Sequence, residues 1–326
     1  MKCKSIHYFG FIGLGVMGQR MLGNMMAHKN FDVIEVWDPN PELEKALNKI
    51  YPNLIFKKNA ASVISSENVD AIYIASPPAS HAEHVLRTVK AGKVIFCEKP
   101  LGININESRE LIKAVEKSGL ANAINFPFVG SDAVALMKKK IENRSLGKIK
   151  GVDLKLHFSK WPRTHQRSAN WLRYREQGGF VREVVSHFVF LIDLLFGPIK
   201  LNWSEVFFPQ DRSLCEVKFA SSLSSDSIDI SFSGDSGRGE RDLIEFTVWG
   251  SKTSLRLWDW YNLSSSSGEV WKPELTHIPD LRNECYIKTL NSLNSMMRKD
   301  SHNMAPLKKA LFVQEVIEKI LDSKKY

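Results

Sequence analysis

A glycine-rich turn near the start of the chain limits the possible folds more than any other feature. The turn follows an apolar run at residues 6–12 and precedes a helical pattern at about 15–26. Glycines at this spacing permit a tight turn and a close approach of the backbone, and the N-terminus of the next helix favours a negative charge. We therefore predict a strand–turn–helix unit that binds a dinucleotide pyrophosphate through Gly13, Gly15, Val16, Met17 and Gly18.

The rest of the first 125 residues alternates between short apolar runs and helical patterns. The apolar runs lie at residues 33–37, 54–56, 71–75, 94–97 and 121–126, and the helical patterns at 41–50, 81–91 and 107–118. Strands that alternate with helices of this length form βαβ units and a parallel sheet. The pattern predicts a doubly wound Rossmann domain over residues 1–125.

The pattern changes after residue 126. Helices are predicted at residues 133–142 and 179–196, and strands at 149–158, 201–208, 214–219, 227–232, 243–249 and 254–258. Strands without helices between them favour an antiparallel sheet. The serine run at 264–268 is typical of a flexible loop. A last helix at about 307–321 is expected to pack at the domain junction. We predict a second α/β domain, residues 126–326, with an open, mainly antiparallel sheet.

Composition excludes several classes of protein. The 326 residues suffice for two domains, and the sequence has neither a run of 18 apolar residues nor the apolar stretch of a secretion signal. We therefore expect a cytoplasmic protein with no membrane partner. The widely spaced Cys3, Cys97, Cys215 and Cys285 indicate reduced thiols and no metal site. The formal charge of +9 is not gathered in a recognisable module, so no nucleic-acid partner is expected.

Asp38 ends the second predicted strand, where a carboxylate can accept hydrogen bonds from the ribose hydroxyls of NAD. It would also repel the 2′-phosphate of NADP, and no arginine follows at residues 39–42. The sequence therefore favours NAD over NADP as the cofactor. A turn that Asp38 merely begins with Pro39 is the alternative.

Two further loops follow later strands. Ser76, Pro77 and His81 come after residues 71–75, and Glu98 and Lys99 come after 94–97. Because the ligand crevice of an open α/β sheet lies beyond the carboxyl ends of its strands, we expect both loops beside the cofactor. An ammonium in a partly desolvated cleft can bind the reacting oxygen and stabilise its developing charge. Lys99 is therefore a candidate catalytic residue, with an ordinary surface lysine as the alternative.

A third candidate element follows Gly178 and Gly179. Glu183 and His187 lie four residues apart, so they share one face of a helix. A carboxylate beside an imidazole raises its basicity and fixes its orientation, which suits a proton acceptor. The pair predicts a general base, although a single histidine among apolar neighbours is often a core residue.

Three blocks of the chain resemble the Gfo/Idh/MocA family, named after glucose–fructose oxidoreductase and inositol dehydrogenase. They are the glycine turn, residues 76–101 and residues 178–187. The resemblance implies a Rossmann domain joined to an α/β domain with an open sheet, through which many members oligomerise, so a homodimer or homotetramer is expected. It also implies NAD(P)-dependent oxidation of a secondary alcohol of a sugar or cyclitol, or the reverse reduction.

Individual residues follow from the resemblance. Lys99 matches the lysine of the family's Glu-Lys-Pro motif, and His187 matches the histidine of its Asp-x-x-x-His pair. Glu183 replaces the aspartate of that pair, and Val185 stands where the family often has glycine. A third departure is the run that starts at Asn125, where an Arg-Phe run is common. The expected substrate contacts are Lys99, Asn125, Arg163, Trp171, Glu183 and His187.

The loop before the Glu–His pair is strongly basic. It contains Lys160, Arg163, Arg167, Arg173, Arg175 and Arg182, with Glu176 as the only acid between 160 and 182. Arginine binds carboxylate or phosphate in a bidentate manner. In the family this region borders the substrate, so we hypothesise an anionic sugar: a sugar acid or a phosphorylated or nucleotide-linked sugar. A solvated or subunit-contacting arm is the alternative. Trp161 and Trp171 are candidates to stack on a sugar or to fill the core.

The sequence thus predicts an NAD-dependent dehydrogenase or reductase that acts on a sugar-like small molecule. In this interpretation His187 takes the alcohol proton, Glu183 orients His187, and Lys99 stabilises the oxygen. Two alternatives stay open. One is a regulatory protein that binds NAD without turnover, and the other is a reductase of an imine or a non-sugar carbonyl.

Overall fold

The apolar runs of the first 125 residues form the parallel sheet that their spacing predicts. In the computed structural model, which describes residues 6–239 and 241–322, the strand order is β3-β2-β1-β4-β5-β6. All neighbouring pairs in this sheet are parallel. The strands are β1 His7–Ile12, β2 Phe31–Trp37, β3 Ile55–Phe56, β4 Ala71–Ile74, β5 Val94–Glu98 and β6 Asn122–Asn125. This order is that of a Rossmann domain.

Helices connect these strands close to the predicted positions. They are α1 Val16–Met26, α2 Glu42–Asn48, α3 Ala60–Ile64, α4 His81–Lys90 and α5 Ile105–Ser118. The sequence patterns did not indicate α3, which has only five residues and depends on the Asn59 side chain, whose oxygen accepts the Ser62 N–H at 2.8 Å. The predicted start of α5 at residue 107 was two residues late, because Asn104 caps the helix and α5 begins at Ile105.

This sheet brings three loops to one edge. Every residue of β4 is buried, and β5 is buried from Ile95 to Glu98. Since β1, β4 and β5 are parallel neighbours, the loops that follow them lie side by side at the carboxyl edge. The glycine turn, the Ser76 loop and the Lys99 loop therefore belong to one edge of one sheet.

The second sheet is mixed but mainly antiparallel, as predicted. Its order is β14-β13-β12-β11-β7-β10-β9-β8, and the one parallel pair between its described strands is β10 with β7. The strands are β7 Ile149–Phe158, β8 Lys200–Phe207, β9 Lys218–Ser225, β10 Ile228–Ser236, β11 Leu243–Gly250, β12 Ser254–Trp258, β13 Asn262–Ser266 and β14 Lys272–Pro273.

Two predictions in this region are wrong. The strand predicted at 214–219 begins only at Lys218, because Cys215 N–H instead donates to the Arg173 carbonyl at 2.8 Å. The serine run predicted as a flexible loop is largely strand β13, in which Leu263 is buried. Its serines make hydrogen bonds within the sheet, since Ser264 Oγ accepts the Trp258 indole N–H and Ser265 Oγ donates to Glu274.

The remaining helices are α6 Asp132–Glu142, α7 Ser186–Phe196, α8 Leu281–Met297 and α9 Leu307–Leu321. The helix predicted at 179–196 is confirmed in its position, although its first part, Val181–Val185, is a π-helical segment that leads into α7. The patterns also missed α8, whose asparagines and serines are more typical of caps and turns than of helix interiors. None of the described helices meets the length and hydropathy that a bilayer span requires.

The described chain divides into two compact units. The first comprises residues 6–126 and 286–311, and the second comprises 127–285 and 312–322. The predicted domains, 1–125 and 126–326, placed residues 286–311 in the second domain, whereas these residues belong to the first unit. Cys97, Cys215 and Cys285 are buried and form no disulfide among the described residues, and Cys3 lies outside them.

Candidate functional site

The glycine turn of the first unit is built around Gly13 and Gly18. Gly13 has φ +93°, and a Cβ there would lie 2.6 Å from the carbonyl carbon and oxygen of Ala75. A Cβ on Gly18 would overlap the Gly13 carbonyl oxygen. These two glycines are therefore required by packing, because the turn lies directly against the loop that follows β4.

Gly15 differs from its neighbours in the turn. It is exposed at the N-cap of the 11-residue helix α1, and a Cβ there would meet no described atom within 4 Å. No described side chain caps this helix end, and Val16 and Met17 in its first turn are half-buried. Open space at an uncapped helix N-terminus fits the pyrophosphate of a dinucleotide.

Asp38 lies just beyond β2 and is bonded to the same turn. Its Oδ2 accepts the Leu14 N–H at 2.7 Å, and its Oδ1 accepts the Asn40 N–H at 2.8 Å. These bonds hold a negative charge beside the glycine turn. The turn-forming role and the predicted ribose-binding role are compatible, since each carboxylate oxygen can accept more than one hydrogen bond.

His81 joins the two other loops at this edge. Its side chain is fully buried, with Nδ1 2.8 Å from the Pro100 carbonyl oxygen and Nε2 2.7 Å from the Ser76 carbonyl oxygen. Burial lowers the pKa of His81 to about 4, against the raising effect of the two backbone oxygens. Both ring nitrogens face backbone, and any contribution of His81 to cofactor binding is through the loops it holds. In the same loop, Ser80 Oγ donates to Ser76 Oγ at 2.7 Å, and Pro77 precedes the short 3₁₀ turn Pro78–Ser80.

Glu98 anchors the end of β5 next to Lys99. One Glu98 oxygen accepts the Tyr73 hydroxyl at 2.5 Å and the Asn125 amide at 2.6 Å. Burial and the nearby Glu98 carboxylate raise the pKa of Tyr73 well above its usual range, so this hydroxyl stays a donor. Glu98 and Asn125 are 5% and 4% exposed. The predicted cofactor contact of Glu98 and the predicted substrate contact of Asn125 stay predictions.

Lys99 occupies the position that these contacts fix. It is only 9% exposed, and it lies between the anchored Glu98 and Pro100, whose carbonyl oxygen faces His81. The alternative of an ordinary surface lysine is therefore wrong, since such a lysine would be largely solvated. A nearly buried ammonium at the carboxyl edge of a parallel sheet is suited to bind a ligand oxygen.

His187 of the second unit lies in an aromatic cluster. The ring is 6% exposed, and its centroid is 5.1 Å from that of Trp260 and 6.1 Å from that of Phe128, both edge-on. Trp260 also stacks on Phe188 at 5.9 Å. Sequence patterns gave no signal for Trp260 or Phe128, because each is distant in sequence from His187.

Glu183 is connected to the basic loop by a residue that the sequence did not indicate. Gln166, 7% exposed, donates its amide to Glu183 Oε1 at 3.1 Å and accepts the Arg163 Nε–H at 3.0 Å. The Arg163 guanidinium carbon lies 5.9 Å from the Trp260 ring centroid. Arg163 and Glu183 therefore share one polar chain beside the His187 cluster. The predicted contact between Glu183 and His187 stays a prediction.

The arginines of the basic loop differ in the partners that they contact. Arg182 forms a two-bond ion pair with Glu318, at 2.6 and 2.7 Å, and Arg175 lies over the Phe208 ring at 3.9 Å. The anionic-substrate hypothesis therefore does not apply to Arg182, whose charge is already matched. Trp171 is half-buried in the 3₁₀ turn Asn170–Arg173, and Trp161 donates its indole N–H to the Leu172 carbonyl at 3.0 Å.

Comparison with known protein families agrees with the arrangement of the fold. A model described as an oxidoreductase family with an NAD-binding Rossmann fold matches residues 8–126. The C-terminal α/β domain model of the same family matches residues 138–325. The chain belongs to the Gfo/Idh/MocA oxidoreductase family. Its first unit is an NAD-binding Rossmann domain, and the open glycine turn, the helix α1 N-terminus and Asp38 fit that cofactor.

Among curated relatives, the glucose-6-phosphate 3-dehydrogenase of Bacillus subtilis is 24% identical over 190 residues, which is 57% of this chain and 53% of that protein. The chain matches about half or less of the length of the first such relatives. The family membership therefore rests on the two family models, and these relatives do not establish the reaction of this chain.

Two solved structures show the same fold. Levoglucosan dehydrogenase in complex with NADH and L-sorbose has a TM-score of 0.85 at 18% identity, and covers 98% of this chain and 96% of its own. The WlbA dehydrogenase from Bordetella pertussis, in complex with NADH and UDP-GlcNAcA, has a TM-score of 0.79 at 19% identity. The match covers 97% of this chain and 94% of that protein.

Proposed function

We propose that this protein transfers a hydride between NAD and a secondary alcohol or ketone of a sugar-like molecule. The observation that supports this most strongly is the edge of the first sheet, where an open glycine turn and a nearly buried Lys99 follow neighbouring parallel strands. The named relatives that act on or bind sugars belong to the same family.

NAD supplies the hydride chemistry when it is bound, and the residues of the chain supply binding, orientation and proton transfer. Gly15 and the first turn of α1 bind the pyrophosphate, and Asp38 binds the ribose. Lys99 donates a hydrogen bond to the reacting oxygen and stabilises its charge. His187 accepts the alcohol proton, and Glu183, held by Gln166, orients the acceptor.

The discrimination between NAD and NADP tests the role of Asp38. We expect the protein to bind NADH at least about tenfold more tightly than NADPH, because Asp38 repels a 2′-phosphate. Asp38→Asn is expected to reduce this preference to a few-fold while keeping an oxygen that accepts the Leu14 N–H. Fluorescence titration with each nucleotide measures both affinities.

Asp32→Asn, on strand β2 that ends just before Asp38, is the matched control and is expected to change neither affinity. Preference of the wild-type protein for NADPH would contradict the role assigned to Asp38. Failure to bind either nucleotide would overturn the proposed function itself.

The substrate that we propose is anionic, and Arg163 is the residue proposed to bind its carboxylate or phosphate. Arg163 is half-buried beside Trp260, which contacts His187. Relatives named for glucose 6-phosphate and solved with UDP-GlcNAcA are consistent with negative charge on the substrate. Trp171 is proposed to contact the same ligand.

Arg163→Gln is expected to raise KM for an acidic substrate by roughly tenfold or more and KM for a neutral analogue by much less, because loss of the charged pair affects only the acidic substrate, whereas loss of the bond to Gln166 affects both. Steady-state kinetics on a matched acidic and neutral sugar pair measures the effect. The exposed Arg167 of the same loop, changed to Gln, is the control. Equal changes in KM for both sugars would show that Arg163 does not recognise charge.

We propose a homodimer or homotetramer that forms through the open face of the second sheet. Large side chains on one face of this sheet are exposed, among them Trp203, Leu243, Trp249 and Trp258. The strand register places Leu243 and Trp249 on the same face of β11, and pairs Trp258 with Glu245 on that face. Exposed apolar surface of this kind favours association with a second copy.

A further inference from the structure

Glu216 is a buried acid that the proposed reaction does not use. It lies between β8 and β9 and is 1% exposed. Its Oε1 accepts the Val181 N–H at 2.7 Å. Val181 begins the π-helical segment that leads into α7, two residues before Glu183 and six before His187. A carboxylate buried in this way is costly unless its hydrogen bonds compensate, so its position requires an explanation.

The Gly178–Gly179 turn is shaped around this carboxylate. Gly179 has φ +98°, and a Cβ there would lie 2.6 Å from Glu216 Oε1 and closer still to Oε2. A Cβ on Gly178 would overlap the Trp171 carbonyl oxygen. Gly179 is therefore necessary because the backbone passes directly over Glu216, and Gly178 is necessary because it lies against the Trp171 backbone.

The titratable groups near Glu216 include Arg182, Glu318 and Cys215. Arg182 lies on the same π-helical segment, Glu318 of α9 is paired with Arg182, and Cys215 is the sequence neighbour. Burial raises the pKa of Cys215 to about 12, so this thiol is neutral. Burial also raises the pKa of Glu216 to about 7, with a further increase from Glu318, against the lowering effects of the Val181 N–H and Arg182.

We infer that Glu216 is a positioning residue for the reaction, whose carboxylate fixes the first turn of the segment that carries Glu183 and His187. This inference rests on the proposed function. A helix start favours a negative charge, and a charge-assisted hydrogen bond is stronger than a neutral one. Ionised Glu216 therefore holds the Val181 N–H more tightly than protonated Glu216 does, and activity rises as Glu216 loses its proton.

The first test follows the wild-type protein by NMR and needs no turnover. We expect the chemical shift of the Val181 amide to titrate with a midpoint near pH 7, because burial raises the pKa of Glu216 to about 7. The backbone amides of Glu183 and His187 are expected to show the same midpoint, because the segment moves as a unit. If the Val181 amide titrates and the other two do not, Glu216 does not position the catalytic segment. An unchanged Val181 amide across this range also overturns the inference.

The second test uses Glu216→Gln, which keeps the shape of the side chain and removes its titration. We expect kcat to fall about tenfold above neutral pH, the rise of activity near pH 7 to disappear, and NADH affinity to stay within about twofold. Glu216→Asp keeps the charge but shortens the reach to Val181, so this variant is expected to show only part of the wild-type rise in activity near pH 7. A kcat and pH profile equal to those of the wild type contradict the inference.

Glu35→Gln is the matched control. Glu35 is also a 1% exposed carboxylate, and it accepts hydrogen bonds from Ser66 at 2.9 Å and Asn68 at 3.1 Å in the first unit. We expect this variant to lose stability without a change in the pH profile or in the amides of the Val181 segment. If the wild-type protein has no turnover, the proposed function fails, and the NMR titration still decides the role of Glu216.

Discussion

Replacement of Lys99 by methionine is expected to lower kcat by about 10²–10³-fold, because a donor aimed at a developing negative charge contributes this much to catalysis. NADH affinity is expected to stay within about threefold of the wild type, since the glycine turn and Asp38 are unchanged. Methionine preserves most of the volume of the 9% exposed side chain, so the folded state is retained. Single-turnover kinetics together with NADH titration measures the two effects separately.

Lys113→Met is the control for the removal of one positive charge from the first unit. Lys113 is 71% exposed on α5, where it pairs with Glu110, and we expect its loss to leave kcat unchanged. An equal loss of kcat in both variants would show that net charge, and not the position of Lys99, determines the rate. Full activity of Lys99→Met would remove Lys99 from the reaction.

Gly13→Ala is expected to reduce stability, whereas Gly15→Ala is expected to reduce NADH binding with little effect on stability. Gly13→Ala is expected to reduce the free energy of unfolding by about 3 kcal/mol, because the positive φ costs about 1 kcal/mol and the overlap with Ala75 about 2. Gly15→Ala has room for its Cβ and is expected to change stability by less than about 0.5 kcal/mol.

The same two variants separate packing from cofactor binding. Gly15→Ala is expected to weaken NADH binding by tenfold or more, because its methyl group occupies the space proposed for the pyrophosphate. Denaturant unfolding and NADH titration of both proteins give the full comparison. A Gly15→Ala protein with wild-type affinity would contradict the proposed position of the cofactor, whatever the stability of Gly13→Ala.

Much of the first unit could be predicted from sequence because its strands and helices are each indicated by residues that are close together in the chain. Buried parallel strands are short apolar runs, and Gly92 and Gly119 follow the helices that they end. The glycine turn, Asp38 and Lys99 could also be identified, since each follows a strand directly. The supporting contacts at this edge depend on residues far apart in sequence, such as Asn125 with Glu98, and no periodicity indicates them.

The second unit was harder to predict for the same physical reason. Strands β9 and β13 are rich in serine, so their place in the sheet depends on neighbouring strands more than on their own hydropathy. Gln166, Trp260 and Glu216 reach the Glu183–His187 segment from distant parts of the chain. The π-helical start of that segment has no local sequence signal, and the need for Gly179 is explained by Glu216, which is distant in sequence.

The central claim is tested most directly by mixing the protein with NAD and a panel of neutral and acidic sugars and following the formation of NADH. The account predicts that NADH forms with at least one sugar, most rapidly with an acidic one. It also predicts that Lys99→Met and His187→Gln bind NADH but form almost none. Saturable binding of NADH by the wild-type protein, with no NADH formed from any sugar and none consumed with any ketose, would contradict the account and indicate a protein that binds NAD without turnover.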